Sequence, residues 1–400
     1  MGKKCGFFLL VLLLLFFTGS RADTAGFALY EFSARGNALG GAMVGRADDP
    51  SAIAFNAAGI TQIPGSAISV GASFIMPSVE INSGGTTAGS LSNTWIPPHF
   101  YYTKQLSEKT WLGLGIMSRF GLGTEFHPTW LGRYNSYYAA IQSVSFNPNI
   151  AWKISDTLSV SLGAEAMWFE YEAKKRFFPY DTDILLKGDS IGWGWNLGLL
   201  KKFDERVSFG FSYRSEVKQA IEGNASFSGI LPDGPAQGDI TLPEMFFAGI
   251  LFNATDRLSF ETGAVRTNWS SYDNLTILYG DPQDPMMVVS TPKYYEDVWR
   301  YNVGIEWEAT PQWTWRLSYV YDESPIPDGT IDYQLPANDR HLYSFGIGYK
   351  WDETRSLDLS YTYISIEDRD ISGRPKDGIP DSRLADGDTH IVGLTYNQWL

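Results

Sequence analysis

The sequence predicts an all-β protein: a transmembrane antiparallel β-barrel of 14 strands, its lumen plugged by an N-terminal hatch. Three observations point there. Apolar and polar residues alternate strictly over many segments, six short polar turns recur at regular intervals, and a Gly- and Ala-rich stretch precedes the first strand. Aromatic residues make up 15% of the chain, with 14 Trp and 22 Tyr, yet mean hydropathy is only -0.17 and no long apolar run follows the leader. Barrel strands reconcile these facts, because only one face of each meets lipid.

The leader fixes the compartment. Lys3 and Lys4 precede an apolar run from Gly6 to Phe17, and Ser20-Arg21-Ala22 is a small-x-Ala site, so residues 1–22 read as a signal peptide cleaved after Ala22. The run falls short of the ~20 residues that a spanning helix needs. Cys5, the only cysteine, lies ahead of it and leaves with the leader, so no thiol or disulfide is expected in the mature chain. Removing Lys3, Lys4 and Arg21 shifts the formal charge of -14 to about -17, which excludes nucleic acid as a partner.

Residues 23–64 come next, with "EFSARGNALGGAMVGRADDPSAIAFNAAGI" at their centre. They show neither strand nor helix periodicity of useful length. A disordered periplasmic tail would fit such a composition. A barrel of 14 strands, however, leaves a lumen too wide for wall side chains alone to fill, since about eight strands give an interior that they can. Small residues pack closely without bulk, so this segment is expected to fold inside the lumen as a hatch.

The barrel is assigned to residues 65–400. Alternation is clearest at Leu158, Val160, Leu162, Ala164, Ala166, Trp168 and at Trp313, Trp315, Leu317, Tyr319, Tyr321. A soluble sandwich alternates too, but its strand ends are rarely so rich in the Trp and Tyr that suit lipid headgroups. "LSEKTW", "ISDTLS", "FDERVS", "ATDRLS", "ATPQWT" and "WDETRS" read as tight hairpins, each joining two strands. They supply 12 strands. A first strand near Ala67–Met76 and a last near His390–Tyr396 complete 14, with both termini on the periplasmic side.

Specific stretches carry a resemblance. "AGFALYEFSARGNALGGA" with "ADDPSAIAFNAAGI", then "SRFGLGTEF", "WLGRY", "LPEMFFAGI", "RTNWSSYDNL", "DESPIPDG" and "LPANDRH" occur in an order and spacing that resemble the FadL/TodX family of outer-membrane transporters for long-chain fatty acids and other hydrophobic compounds. The resemblance runs from Ala25 almost to the end. It implies a monomer in the outer membrane, set in lipid and lipopolysaccharide and inserted by the barrel-assembly machinery. It also implies passive uptake without a cofactor, a hatch including Gly26, Phe27, Asn56, Ala57 and Ala58, and an inward kink of the third strand at Ser118, Phe120, Gly121 and Gly123 that opens the wall sideways. Two departures stand out. Asn56-Ala57-Ala58 replaces the family's Asn-Pro-Ala, and the chain ends on Leu400 after Trp399 rather than on an aromatic residue.

Ligand chemistry follows from residue types. An acyl chain needs a dry apolar groove, for which Leu122, Phe126, Trp130, Leu131 and Tyr134 are the candidates. A carboxylate head would seek Arg119, Arg133, Arg300 or Arg340, although lumen arginines commonly pair with interior carboxylates such as Glu165, Glu261, Glu306 and Asp358. The scattered histidines show no zinc spacing, and the acidic last loop, Asp370 to Asp388, has no EF-hand spacing, so no metal site is expected. No Ser/His/acid set is singled out, which sets an enzyme aside. A general porin for polar solutes would leave the hatch unexplained. The resemblance implies long-chain fatty acids as the cargo, with aromatic or aliphatic hydrocarbons as the alternative.

Overall fold

Each of the six polar turns joins two paired strands, and the even strand count follows from them. The structure, a computed structural model, describes residues 26–281 and 284–400, with only the backbone at 122 and 284. The expected leader lies outside the described residues. The 14 strands are β1 Ser66–Ser83, β2 Pro98–Ser107, β3 in two pieces (Thr110–Met117 and Gly121–Glu125), β4 Tyr138–Ser155, β5 Leu158–Phe177 and β6 Thr182–Lys202. Then come β7 (Val207–Arg214, Val217–Ser226), β8 (Gly234–Leu242, Met245–Asn253), β9 (Leu258–Thr267, Asn274–Asp281) and β10 (Asp284–Pro292, Val298–Glu308). The circle ends with β11 Trp313–Asp322, β12 Arg340–Asp352, β13 Arg355–Ile366 and β14 Ser382–Trp399. Neighbours pair antiparallel throughout, and β1 closes on β14 from Ala67 opposite Trp399 to Asn82 opposite Arg383.

Which face is greasy decides between barrel and sandwich. On β6 Ile191, Trp193, Trp195 and Leu197 are exposed while Ser190 and Asn196 are buried. On β11 Trp313, Trp315 and Leu317 are exposed while Thr314 and Arg316 are buried. A soluble sandwich buries its apolar face; here the apolar face points outward, as lipid requires. β1 and β14 run longer than the alternation predicted, because their extensions bury Val79, Ile81 and Leu384 in the core under the loops, where no lipid-facing apolar face is needed.

The segment from Gly26 to Pro64 lies inside this wall. It contains two short helices, α1 Ala34–Ala38 and α2 Ala52–Phe55, and a 3-10 turn, Ala57–Gln62. Ser33 caps α1 by accepting from the Gly36 amide at 3.0 Å. Its bonds reach strands on all sides: Tyr101 of β2 donates to Phe32 O at 2.9 Å, Trp111 of β3 to Ile63 O at 2.7 Å and Arg214 of β7 to Ile53 O at 2.7 Å. On the far side Thr395 of β14 accepts from the Ala34 amide at 2.8 Å. Only an element in the lumen can touch so many strands of one ring. Close approach needs bare backbone on the wall: a Cβ on Gly210 of β7 would overlap the Val44 carbonyl.

Candidate functional site

The third strand carries one residue too many. Met117 faces Ser145 of β4 and Gly121 faces Gln142, so four steps along β3 match three along β4, a β-bulge across Ser118, Arg119 and Phe120. Such a slip moves the following side chains to the opposite face. Below it Trp111 and Met117 are buried; above it Phe120, Thr124 and Phe126 are, and Gly121 and Gly123 turn the other way. β2 stops early as well, because Pro97 and Pro98 carry no amide hydrogen, and its ladder to β3 ends at Phe100 opposite Ile116. The edge of β3 beyond that point is taken by the N-terminal segment. Gly121 donates to Phe27 O at 2.9 Å, and Leu29 donates to Arg119 O at 2.8 Å.

A cavity of about 250 Å³ lies at this interruption. From the lumen it is lined by Gly26, Ala28, Leu29, Ile75, Ile364 and Ile391. It also reaches Gln142 and Val144, which share the outward face of β4 with exposed Phe146, while Ser143 and Ser145 between them are buried. The cavity therefore borders residues of both faces of the wall. Phe27 itself is buried beside it, edge-on to Trp269 at 4.7 Å and to Tyr272 at 5.8 Å, and a Cβ on Gly26 would press on the Trp269 ring.

Asn56 holds the turn that lacks proline. Its side-chain amide donates to Val44 O and to Leu199 O, both at 2.9 Å, and its oxygen accepts from Ala58 N at 3.3 Å. Ala57 opens the 3-10 turn, a position proline tolerates.

All four candidate arginines have carboxylate partners. Arg119 donates to Glu165 at 2.6 Å with both buried, Arg300 and Arg340 share Asp322 at 2.7 and 2.6 Å, and Arg133 meets exposed Asp181 at 2.9 Å. The hydrogen bond from Arg133 holds the Asp181 carboxyl below the usual range. Arg340 alone of the four also lines the apolar cavity. Nearer the short turns, Arg35 and Arg46 of the N-terminal segment grip Glu306, and Arg316 bridges Glu306 to Asp358, around a polar cavity of about 470 Å³. The inner segment is thus apolar toward the long loops and ionic toward the short turns.

The groove candidates fall into two groups. Phe126 and Trp130 stack at 4.1 Å inside a closed core, with Trp130 edge-on to Tyr333 at 4.7 Å. Leu131 packs partly buried against that core, and the side chain of Leu122 lies outside the described residues. Tyr134 sits at the rim, under the Arg133 guanidinium at 4.4 Å and edge-on to exposed Phe178 at 5.6 Å. Two features escaped the sequence: the seating of Trp95 against Gly123, and a buried Lys293–Asp332 pair at 2.6 Å. An isolated Trp and an isolated Lys gave no signal for either.

Comparison with known proteins agrees with this geometry. Residues 15–398 match the family described as outer membrane protein transport protein (OMPP1/FadL/TodX). The chain is 27% identical to a long-chain fatty acid transport protein of Escherichia coli, covering 86% of this chain and 88% of that one. It is 26% identical to the 47 kDa outer membrane protein of Pasteurella multocida, covering 94% of each. Among solved structures, a FadL homologue of Pseudomonas aeruginosa superposes with a TM-score of 0.83 at 20% identity, over 94% of this chain and 99% of that one. The toluene transporter TodX of P. putida gives 0.75 at 16%, over 93% and 99%. With the fold and a match along nearly the whole chain in agreement, this protein belongs to the OMPP1/FadL/TodX family of outer-membrane transport proteins.

Proposed function

We propose that the protein is a passive channel for hydrophobic compounds, with long-chain fatty acids as its first cargo. Rim aromatics such as Tyr134 and Phe178 capture the compound, the cavity beside Phe27 and Phe120 receives it, and release is sideways into the membrane past Gly121 and Gly123. The observation that carries this reading is the cavity at the interruption of β3, bordered by lumen-facing Ile75 and Ile391 and outward-facing Val144. A greasy compound leaving there meets lipid instead of the ionic layer around Glu306, where burying it would break paired charges. The N-terminal segment acts as the hatch; its contacts around the wall argue against a general porin.

Hydrocarbons form the second reading, favoured by one observation. Arg119, Arg133, Arg300 and Arg340 already hold carboxylates, so an uncharged ligand displaces no ion pair. Uptake of labelled oleate and labelled toluene, by cells lacking their own transporter, separates the two. Comparing the full chain with one deleted over residues 23–59 tests the hatch. The reading expects uptake by the full chain and ion leakage through the deletion; a folded full-length barrel that moves neither compound overturns it.

A further inference from the structure

Gly123 of β3 has no room for a side chain, because the indole of Trp95 lies on it: a Cβ there would overlap the ring. Trp95 belongs to the stretch between β1 and β2 that crosses the wall opening. On the β1 side it is fixed by a reciprocal backbone pair, Ile75 N to Trp95 O at 2.8 Å and Trp95 N to Ile75 O at 2.9 Å. On the β3 side Leu91 N donates to Glu125 O at 2.7 Å and the Asn93 amide donates to the Glu125 carboxylate at 2.7 Å. The indole is thus the bulk that spans from β1 to β3, across the place where Pro97 and Pro98 have ended β2.

Its ring is held by shape alone. Among the described residues the buried Trp95 Nε1 finds no acceptor. An unmet buried donor costs about 1–3 kcal/mol, which weakens the seated position relative to a swung one. The ring also lines the cavity together with Leu29, Ile96 and Gly123, so it touches whatever passes.

We propose that Trp95 is the specificity-determining residue of the wall opening: seated on Gly123, its indole limits the girth of the compounds that leave. Slender single chains pass beside it; fused-ring hydrocarbons are held back. The inference rests on the lateral-release reading and adds to it the part that selects.

The test is uptake of labelled oleate and of pyrene by transporter-deficient cells making the wild type, Trp95→Leu or Trp95→Ala, with folding checked by heat-modifiable mobility. The ratio of pyrene to oleate uptake should rise by roughly ten-fold in Trp95→Ala, the scale on which an apolar pocket discriminates by size, with Trp95→Leu between. Trp95→Leu keeps an apolar side chain and so keeps the test open should Trp95→Ala fail to fold. An unchanged ratio in folded variants, alongside oleate uptake by the wild type, overturns the role of Trp95 and leaves the channel reading standing. If no folded form moves either probe, the channel reading fails and this inference falls with it.

Discussion

Arg119, within the bulge of β3, donates to Glu165 of β5 at 2.6 Å, and the same carboxylate oxygen faces Arg214 of β7 at 3.9 Å. Arg214 in turn donates to the Ile53 and Ala54 carbonyls of the N-terminal segment. One buried carboxylate therefore ties the strand interruption to the N-terminal segment. Removing one partner of a buried pair costs about 3–5 kcal/mol, so Glu165→Ala should lower the temperature at which heat-modifiable mobility is lost. Arg133→Ala, whose partner Asp181 is exposed, should cost under about 1 kcal/mol.

Glu261 of β9 accepts from three successive amides, Val44, Gly45 and Arg46, at 2.7, 2.8 and 2.9 Å. Such a nest of amides fixes an anion without a side-chain donor. Glu261→Ala strands all three donors at about 1–3 kcal/mol each and should loosen the segment, read as raised ion conductance in planar bilayers. Glu261→Gln, which retains one acceptor oxygen, should fall between. Wild-type conductance in Glu261→Ala would show that the segment is held elsewhere.

Ala57 stands where a 3-10 turn begins, and Asn56 supplies the bonds around it. Ala57→Pro should therefore be accepted and raise stability by about 0.4–1 kcal/mol, since the ring restricts the unfolded chain. Thermal unfolding checks it. A lowered midpoint would mean that the ring collides with the wall.

Gly121 faces Leu29, and a Cβ there would stand 2.8 Å from its Cδ1. Gly121→Leu should fill the cavity at the wall and cut oleate uptake by roughly ten-fold, with the barrel still folded. Undiminished uptake would direct release elsewhere, toward the periplasm.

The wall was legible because lipid enforces alternation and because tight turns such as "ISDTLS" leave one reading of the pairing. The lumen carboxylates were legible for a related reason: Glu165, Glu306 and Asp358 fall on the polar parity of greasy strands, and a charge in a closed lumen finds an arginine. The resemblance implies a kink at Ser118 to Gly123, but its form, one extra residue slipped across Ser118 to Phe120, shows only once β4 is laid beside it. Phe126 and Trp130 looked like groove residues in one dimension, and only tertiary packing stacks them on each other away from the cavity.

The most direct measurement of the central claim is uptake of labelled oleate by transporter-deficient cells, comparing the full chain with Gly121→Leu at equal amounts of folded protein in the outer membrane. The account predicts uptake well above empty cells for the full chain and near background for the variant. Equal uptake by both would contradict passage through the wall at β3, and uptake by neither would contradict fatty-acid transport.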